Sequence, residues 1–329
     1  MLRNFAFLLT LCLLIVTPIT AQGTLDTVTI TILPYLSYAP FYIADQEGYF
    51  AEQGIAAEYL SFAESQEIFP ALLRGDLDVH VEFINAALFN AIERGAEFRV
   101  VGDKGYFAEG ECAANGFIAR NDVLDSGALD DPEQISTLRW QYETDTVEQF
   151  LLERAFANVG AELGELANEP LPPHLFHGAL LNDAVDVGFT GEPWITNAIN
   201  TGEANVWVTD EQLAPNLEAS MLLYGTRMLE DEELGQRFMV AYLQGIRQYL
   251  EGKTERNIEL VAEFTGLDPA IVEQACWAHI DPTGAIRTEG IMEFQQWLIE
   301  HELLDRVLEV EEFYNPSFIE YANDILGEP

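Results

Sequence analysis

Residues 29–54, TITILPYLSYAPFYIADQEGYFAEQG, commit the start of this chain to a strand, a loop and a helix in that order. The apolar, β-branched run Val28–Leu33 is stopped by Pro34, which has no N–H to offer a strand ladder. An aromatic-rich loop follows, with Tyr35, Tyr38, Phe41 and Tyr42. A short helical pattern then passes through Gly48-Tyr49-Phe50 to Gly54, and Ile55–Leu60 reads as a second strand. Open α/β sheets bind ligands on units of this kind, at the carboxyl ends of their strands.

The alternation continues. Glu67–Arg74 reads as an amphipathic helix ended by Gly75, Leu77–Phe83 as a strand, Asn85–Arg94 as a helix and Phe98–Gly102 as a strand. Gly116–Arg120 opens a second region, with a loop-like stretch at Leu124–Gln134 and strands at Thr137–Tyr142, Val185–Phe189 and Ala204–Val208. Its long helix, Thr146–Val159, begins at Thr144-Asp145-Thr146 followed by Glu148, a capping-type start with free backbone N–H groups at its mouth. Pro170–His174 reads as a turn or linker. The two regions share a plan: LRGDLDV at 73–79 echoes LLNDAVDV at 180–187, a helix end, a turn and an Asp-bearing strand. Ser220–Thr226 is a returning strand. Helices then follow at Asp231–Glu251, Arg256–Thr265, Asp268–Trp277, Glu289–Glu302 and Val310–Leu326. The expected architecture is α/β with mostly parallel sheets in two lobes, a ligand cleft between them and a helical C-terminal extension. Residues 24–110 plus 215–329 form lobe one, and residues 111–214 form lobe two.

Charge narrows the partners. With 15 Lys plus Arg against 56 Asp plus Glu, the formal net charge is −41, and lysine occurs only at 104 and 253. Such a chain repels nucleic acid and anionic membranes, so neither is an expected partner. An anionic ligand would need local donors, because the overall field opposes it.

Met1–Ala21 reads as a secretory signal peptide. Arg3 supplies the positive start, Phe5–Val16 an apolar run short for a bilayer span, and Thr20-Ala21 a small-residue cleavage site. The mature chain is expected to be exported, periplasmic or associated with the cell surface. Export leaves Cys112 and Cys276, which can pair or remain buried thiols; the sequence pattern alone does not bring them together. His174 and His177 lie three apart with no third ligand in view, so no metal site and no cofactor are expected.

Ala39-Pro40-Phe41-Tyr42-Ile43-Ala44, Gly48-Tyr49-Phe50 and Gly54-Ile55 resemble the opening signature of ABC-transporter solute-binding proteins of the sulfonate/nitrate/taurine and thiamine-pyrimidine-precursor group. Gly75-Asp76-Leu77-Asp78, Gly95, Gly116–Arg120 and Gly191-Glu192-Pro193-Trp194 fall in the order which that family uses, and the resemblance runs from Thr27 to Arg247. It implies a bilobed, type II periplasmic-binding fold. Such a fold closes on a small-molecule solute and delivers it to an ABC permease subunit in the membrane, as a monomer and without catalysis.

Ligand-binding candidates stand at the ends of the strand patterns. Tyr35, Tyr38 and Phe41 form an aromatic wall, and Ser65, beside Gln66, follows the second strand. Glu82 and Asn85 bracket the third strand's end, while Thr144, Asp145 and Thr146 open the long helix. Glu192 and Trp194 face the cleft from lobe two, an acceptor beside a ring that can stack on a planar solute. Asp145 at the helix mouth repels a simple oxyanion. The pattern favours a planar nitrogen-containing solute, a pyrimidine or another heterocycle, over a sulfonate, taurine or nitrate. The remaining alternative is a biosynthetic enzyme on the same fold; relatives in thiamine biosynthesis use a histidine there, and no histidine occupies a strand-end loop of the opening unit.

Overall fold

A computed structural model describes residues 25–33, 35–62, 67–168, 171 and 173–329; the side chains of Pro173 and His174 are outside this description, as are the leader 1–21, Ser65 and Gln66. The first sheet carries β1 (Asp26–Thr31), β2 (Ile55–Leu60), β3 (Val79–Phe83), β4 (Arg99–Tyr106) and the returning β10 (Glu218–Tyr224), in the order β2-β1-β3-β10-β4. The second carries β5 (Asn115–Arg120), β6 (Arg139–Gln141), β7 (Ala167–Asn168), β8 (Val187–Gly191) and β9 (Ala204–Thr209), in the order β7-β6-β8-β5-β9.

The two orders superimpose strand for strand. In each sheet four strands run one way, and the remaining strand is antiparallel to both of its neighbours. That strand is β10 in the first sheet and β5 in the second, the two strands through which the chain enters each lobe from the other. The expected mostly parallel, two-lobed α/β architecture is therefore present, with one inverted strand per sheet.

Several boundaries differ from the sequence reading. The stretch read as loop, Leu124–Gln134, begins inside the helix Asn121–Ser126, and the segment read as a linker begins the helix Pro173–Leu181, with proline tolerated at its first position. The final helix splits into Val310–Phe313 and Ser317–Leu326, because Pro316 cannot donate within a helix and disfavours a helical Asn315. The helix expected to reach Trp277 ends at Gln274. The chain turns there and brings Cys276 to Cys112, with the Cα atoms 5.8 Å apart in a disulfide. The bond joins the first lobe crossing to the tail.

The tail is part of the lobe architecture. Glu232–Tyr249 packs on Ala39–Gln46 so closely that a Cβ at Gly245 would stand 2.2 Å from the Pro40 carbonyl oxygen. Thr288–Glu300 reaches the other lobe: Phe294 and Trp297 lie 5.6 and 5.7 Å edge-on from Phe150 of the helix Val147–Asn158. Trp297 Nε1 donates to Glu153 at 2.7 Å, and Arg154 pairs with Glu293. One hydrophobic core consequently runs through both lobes, from Leu72 and Phe98 through Phe294 to Phe117 and Trp140. Among the described residues, no helix is long and apolar enough to cross a membrane.

Candidate functional site

The carboxyl ends of β1, β3, β6 and β8 converge where the lobes meet. Tyr35 and Phe83 from lobe one, with Asn115, Gln141, Glu143, Glu148, Phe176, Phe189, Thr190 and Gly191 from lobe two, surround a small cavity. About 40 Å³ of it is open to water, room for roughly three molecules. Glycine makes this space. A Cβ at Gly188 would fall 2.4 Å from Phe176 and 2.8 Å from Gln141 Oε1, and one at Gly191 2.5 Å from Asn115 Oδ1 and 3.4 Å from Tyr35.

The lining is rich in acceptors. Gln141 and Thr190 are 5% and 3% exposed, and their side-chain oxygens have no hydrogen-bond partner among the described residues. Burial raises the pKa of Glu148 well above the usual carboxylate range, and the neighbouring Glu143 raises it further. Glu143, exposed at the rim, is raised by desolvation at the cleft and then by the charge of Glu82. Neither Glu143 nor Glu148 has an ion-pair partner among the described residues.

A second groove lies beside the first, lined by Glu82, Asn85, Asn90, Arg94, Thr144, Asp145 and Thr146 among others, with Glu143 common to both. Here the lobes clasp backbone to backbone. Ala86 N donates to Asp145 O at 2.8 Å and Val147 N to Ile84 O at 3.0 Å. The helix mouth that the sequence left open is thus engaged: Asp145 N donates to Gln149 at 2.9 Å, and Glu148 N to Thr146 Oγ1 at 3.1 Å. Asn85 is committed as the cap of its own helix, accepting from Leu88 N at 2.8 Å. Glu82 is paired with His80 at 2.9 Å.

Of the expected aromatic wall, only Tyr35 lines the cavity. Phe41 is wholly buried and stacked on Tyr242 at 4.5 Å, a core residue. Tyr38 is buried beneath Lys104, whose Nζ stands 3.9 Å from the ring centre and donates to Ser37 Oγ at 2.6 Å. Burial lowers the pKa of that ammonium to about 7, so the ring faces compensate a charge that water cannot reach. Glu192 is likewise not a free acceptor: it receives Thr196 N at 3.0 Å, Thr196 Oγ1 at 2.8 Å and Cys276 N at 3.2 Å. Trp194 begins the helix Trp194–Asn200 and does not line the cavity. The two loops do touch, through Leu36 N donating to Glu192 O at 3.1 Å.

Phe83, Asn115, Gln141, Glu143, Phe176, Phe189 and Thr190 were not singled out from sequence. Gln141 and Thr190 carry the signal that was available, since each stands at the carboxyl end of a strand in the second lobe. Phe176 carries none, because its helix follows a stretch that reads as a turn. Among the described residues, three metal-ligating side chains meet at Cys112, Cys276 and His279, where the disulfide occupies both sulfurs.

Two like-built α/β lobes around an enclosed interlobe cavity define a class, the two-lobed solute-binding fold. Solved structures of that class superimpose on the chain. The ligand-binding component of an ABC-type import system from Staphylococcus aureus, with zinc bound, matches at TM-score 0.75 and 14% identity, covering 90% of this chain and 99% of that one. The periplasmic nitrate-binding protein NrtA from Synechocystis PCC 6803 matches at TM-score 0.75 and 14% identity, covering 93% and 90%. The alkanesulfonate-binding protein SsuA from Xanthomonas axonopodis pv. citri, bound to MOPS, matches at TM-score 0.67 and 18% identity, covering 90% and 100%. No curated protein sequence matches the chain. The NMT1-like family model matches residues 21–265, and the chain belongs to the NMT1-like family.

Proposed function

We propose that this protein is the exported solute-capturing component of an ABC importer and holds a small, planar, nitrogen-containing solute between its lobes. Delivery to a membrane permease follows from the family and from neighbours that serve import systems. The observation that carries the solute class is the cavity lining. Tyr35, Phe83, Phe176 and Phe189 offer ring faces and edges, and Gln141, Glu143, Glu148 and Thr190 offer acceptors. Flat rings pack on such walls, and ring or exocyclic N–H groups satisfy such acceptors. Among the described residues, no Lys or Arg lines this cavity to neutralise a nitrate or sulfonate, and Asp145 stands in the groove beside it. Binding without turnover is the expected activity.

A thermal-shift panel tests this reading, because a ligand of the native state raises Tm by mass action. Pyrimidines and other nitrogen heterocycles should raise it, whereas taurine, alkanesulfonates and nitrate should not. Stabilisation by the anions alone would overturn the assignment.

A further inference from the structure

We infer that the solute is a small organic cation of amidine or guanidine type, with its positive charge seated between Glu143 and Glu148. This rests on the solute-binding reading above and names the charge that the site selects. Glu143 N donates to Glu148 Oε2 at 2.8 Å, which fixes the Glu148 carboxyl against the backbone of Glu143, and both residues line the cavity. Two like-charged carboxyls at one cavity, Glu148 part-buried and Glu143 exposed at the rim, attract a cation or a proton, and among the described residues no basic side chain pairs with either. Lys104 is spent elsewhere, on Ser37 and on the Tyr38 and Phe83 rings.

The second, independent observation is the orphaned pair of oxygens. Gln141 Oε1 and Thr190 Oγ1 belong to cavity-lining side chains that are nearly wholly buried, and neither has a partner among the described residues. A buried acceptor without a donor is destabilising, and the cavity is the place from which a donor can come. A planar cation with several N–H groups can meet both carboxyls and these two oxygens at once, whereas an anion is repelled by the carboxyls and finds a donor only in the Thr190 hydroxyl. Tyr35 and Phe83 add ring faces, which attract organic cations.

Desolvation at the cleft and then neighbouring negative charge raise the proton affinity of both carboxyls. The groups facing them are Glu82 from β3, Tyr35 from the loop after β1, and Tyr38 behind it. Cation binding should therefore displace protons and strengthen as pH rises.

The test is calorimetric titration of the intact mature chain with guanidinium and benzamidinium, beside neutral cytosine and anionic taurine, at about pH 5 and about pH 8. At least one of the two cations should bind, with proton release and more tightly at the higher pH. Glu148→Gln should weaken it roughly tenfold to a hundredfold, while the free variant melts no lower than the parent. Glu143→Gln gives the same readout if Glu148→Gln fails to fold. Binding of cytosine without either cation would overturn the charge assignment and leave the heterocycle reading standing. Binding of taurine alone would overturn both. Undiminished cation affinity in the folded variants would place the charge elsewhere and overturn the inference.

Discussion

Asp78 and Asp186 do the same task in the two lobes. Asp78 Oδ2 accepts from Thr29 N at 2.9 Å and from Arg227 Nη1 at 2.8 Å. Asp186 Oδ2 accepts from Arg139 N at 2.9 Å, and its Oδ1 pairs with Arg139 at 2.6 Å and Arg120 at 3.2 Å. The bonded residue on the partner strand lies 49 residues earlier in one lobe and 47 in the other. The repeated Asp-bearing turn is therefore one structural device used twice: a carboxylate that ties β3 to β1 in one lobe and the equivalent β8 to β6 in the other.

Replacing Asp78 by Ala should destabilise the protein by about 1–3 kcal/mol, because it strips the part-buried Thr29 N–H of its acceptor, while Arg227 is free to turn to solvent. Asp186→Ala should cost less, because the Asp186 carboxylate is itself more exposed than that of Asp78, 11% against 2%. Urea unfolding of the two variants checks the order. Equal, negligible losses would mean that the carboxylates are not structural ties.

Asp103 and Glu218 make stability depend on pH. Both are buried, and among the described residues Asp103 Oδ1 and Glu218 Oε1 have no donor. Burial pushes Asp103 up to about 6 and raises Glu218 well above its usual range, with Asp103 adding to the rise. A carboxyl raised in the folded state contributes its full stability below the unfolded pKa near 4 and loses it as pH rises through the folded value. Tm should therefore fall between about pH 4 and pH 7. Self-repulsion of the acidic surface acts in the same direction, so Asp103→Asn is the deciding comparison: it should flatten the profile and raise Tm at the alkaline end. A Tm that climbs with pH in the parent would contradict the protonated pair.

The Cys112–Cys276 bond spans 164 residues of sequence. Breaking it, by reduction or by a double Cys→Ser variant, should cost about 2–5 kcal/mol. Because Cys276 N also donates to Glu192, hydrogen exchange at residues 192–196 should rise on reduction. Unchanged exchange there would show that Glu192 is held by Thr196 alone.

Gly191 and Trp194 separate the cavity from its surroundings. Gly191→Ala forces a methyl group toward Asn115 and Tyr35 and should weaken the Tm shift given by a stabilising heterocycle about tenfold in ligand concentration. Trp194→Phe should leave that shift unchanged, since Trp194 does not line the cavity. The reverse pattern would return the site to the Glu-Pro-Trp turn.

Local pattern carried most of the architecture. β2 occupies the expected Ile55–Leu60, and the long helix of lobe two runs Val147–Asn158 within the expected range. The internal repeat was visible too, because periodicity, caps and breakers act over a few residues. The assignment of side chains within the strand-end loops was not visible. Tyr38 is taken by Lys104, whose contact with the adjacent Ser37 spans 67 residues, and Glu192 is shared with Cys276, 84 residues on. The N–H groups at the Thr146 helix mouth are spent partly on Ile84 of the other lobe. Each loop offered several groups able to bind a solute. Burial and hydrogen-bond satisfaction assigned some to the fold and left others at the cavity, and that division depends on segments far apart in the chain, brought together only by folding.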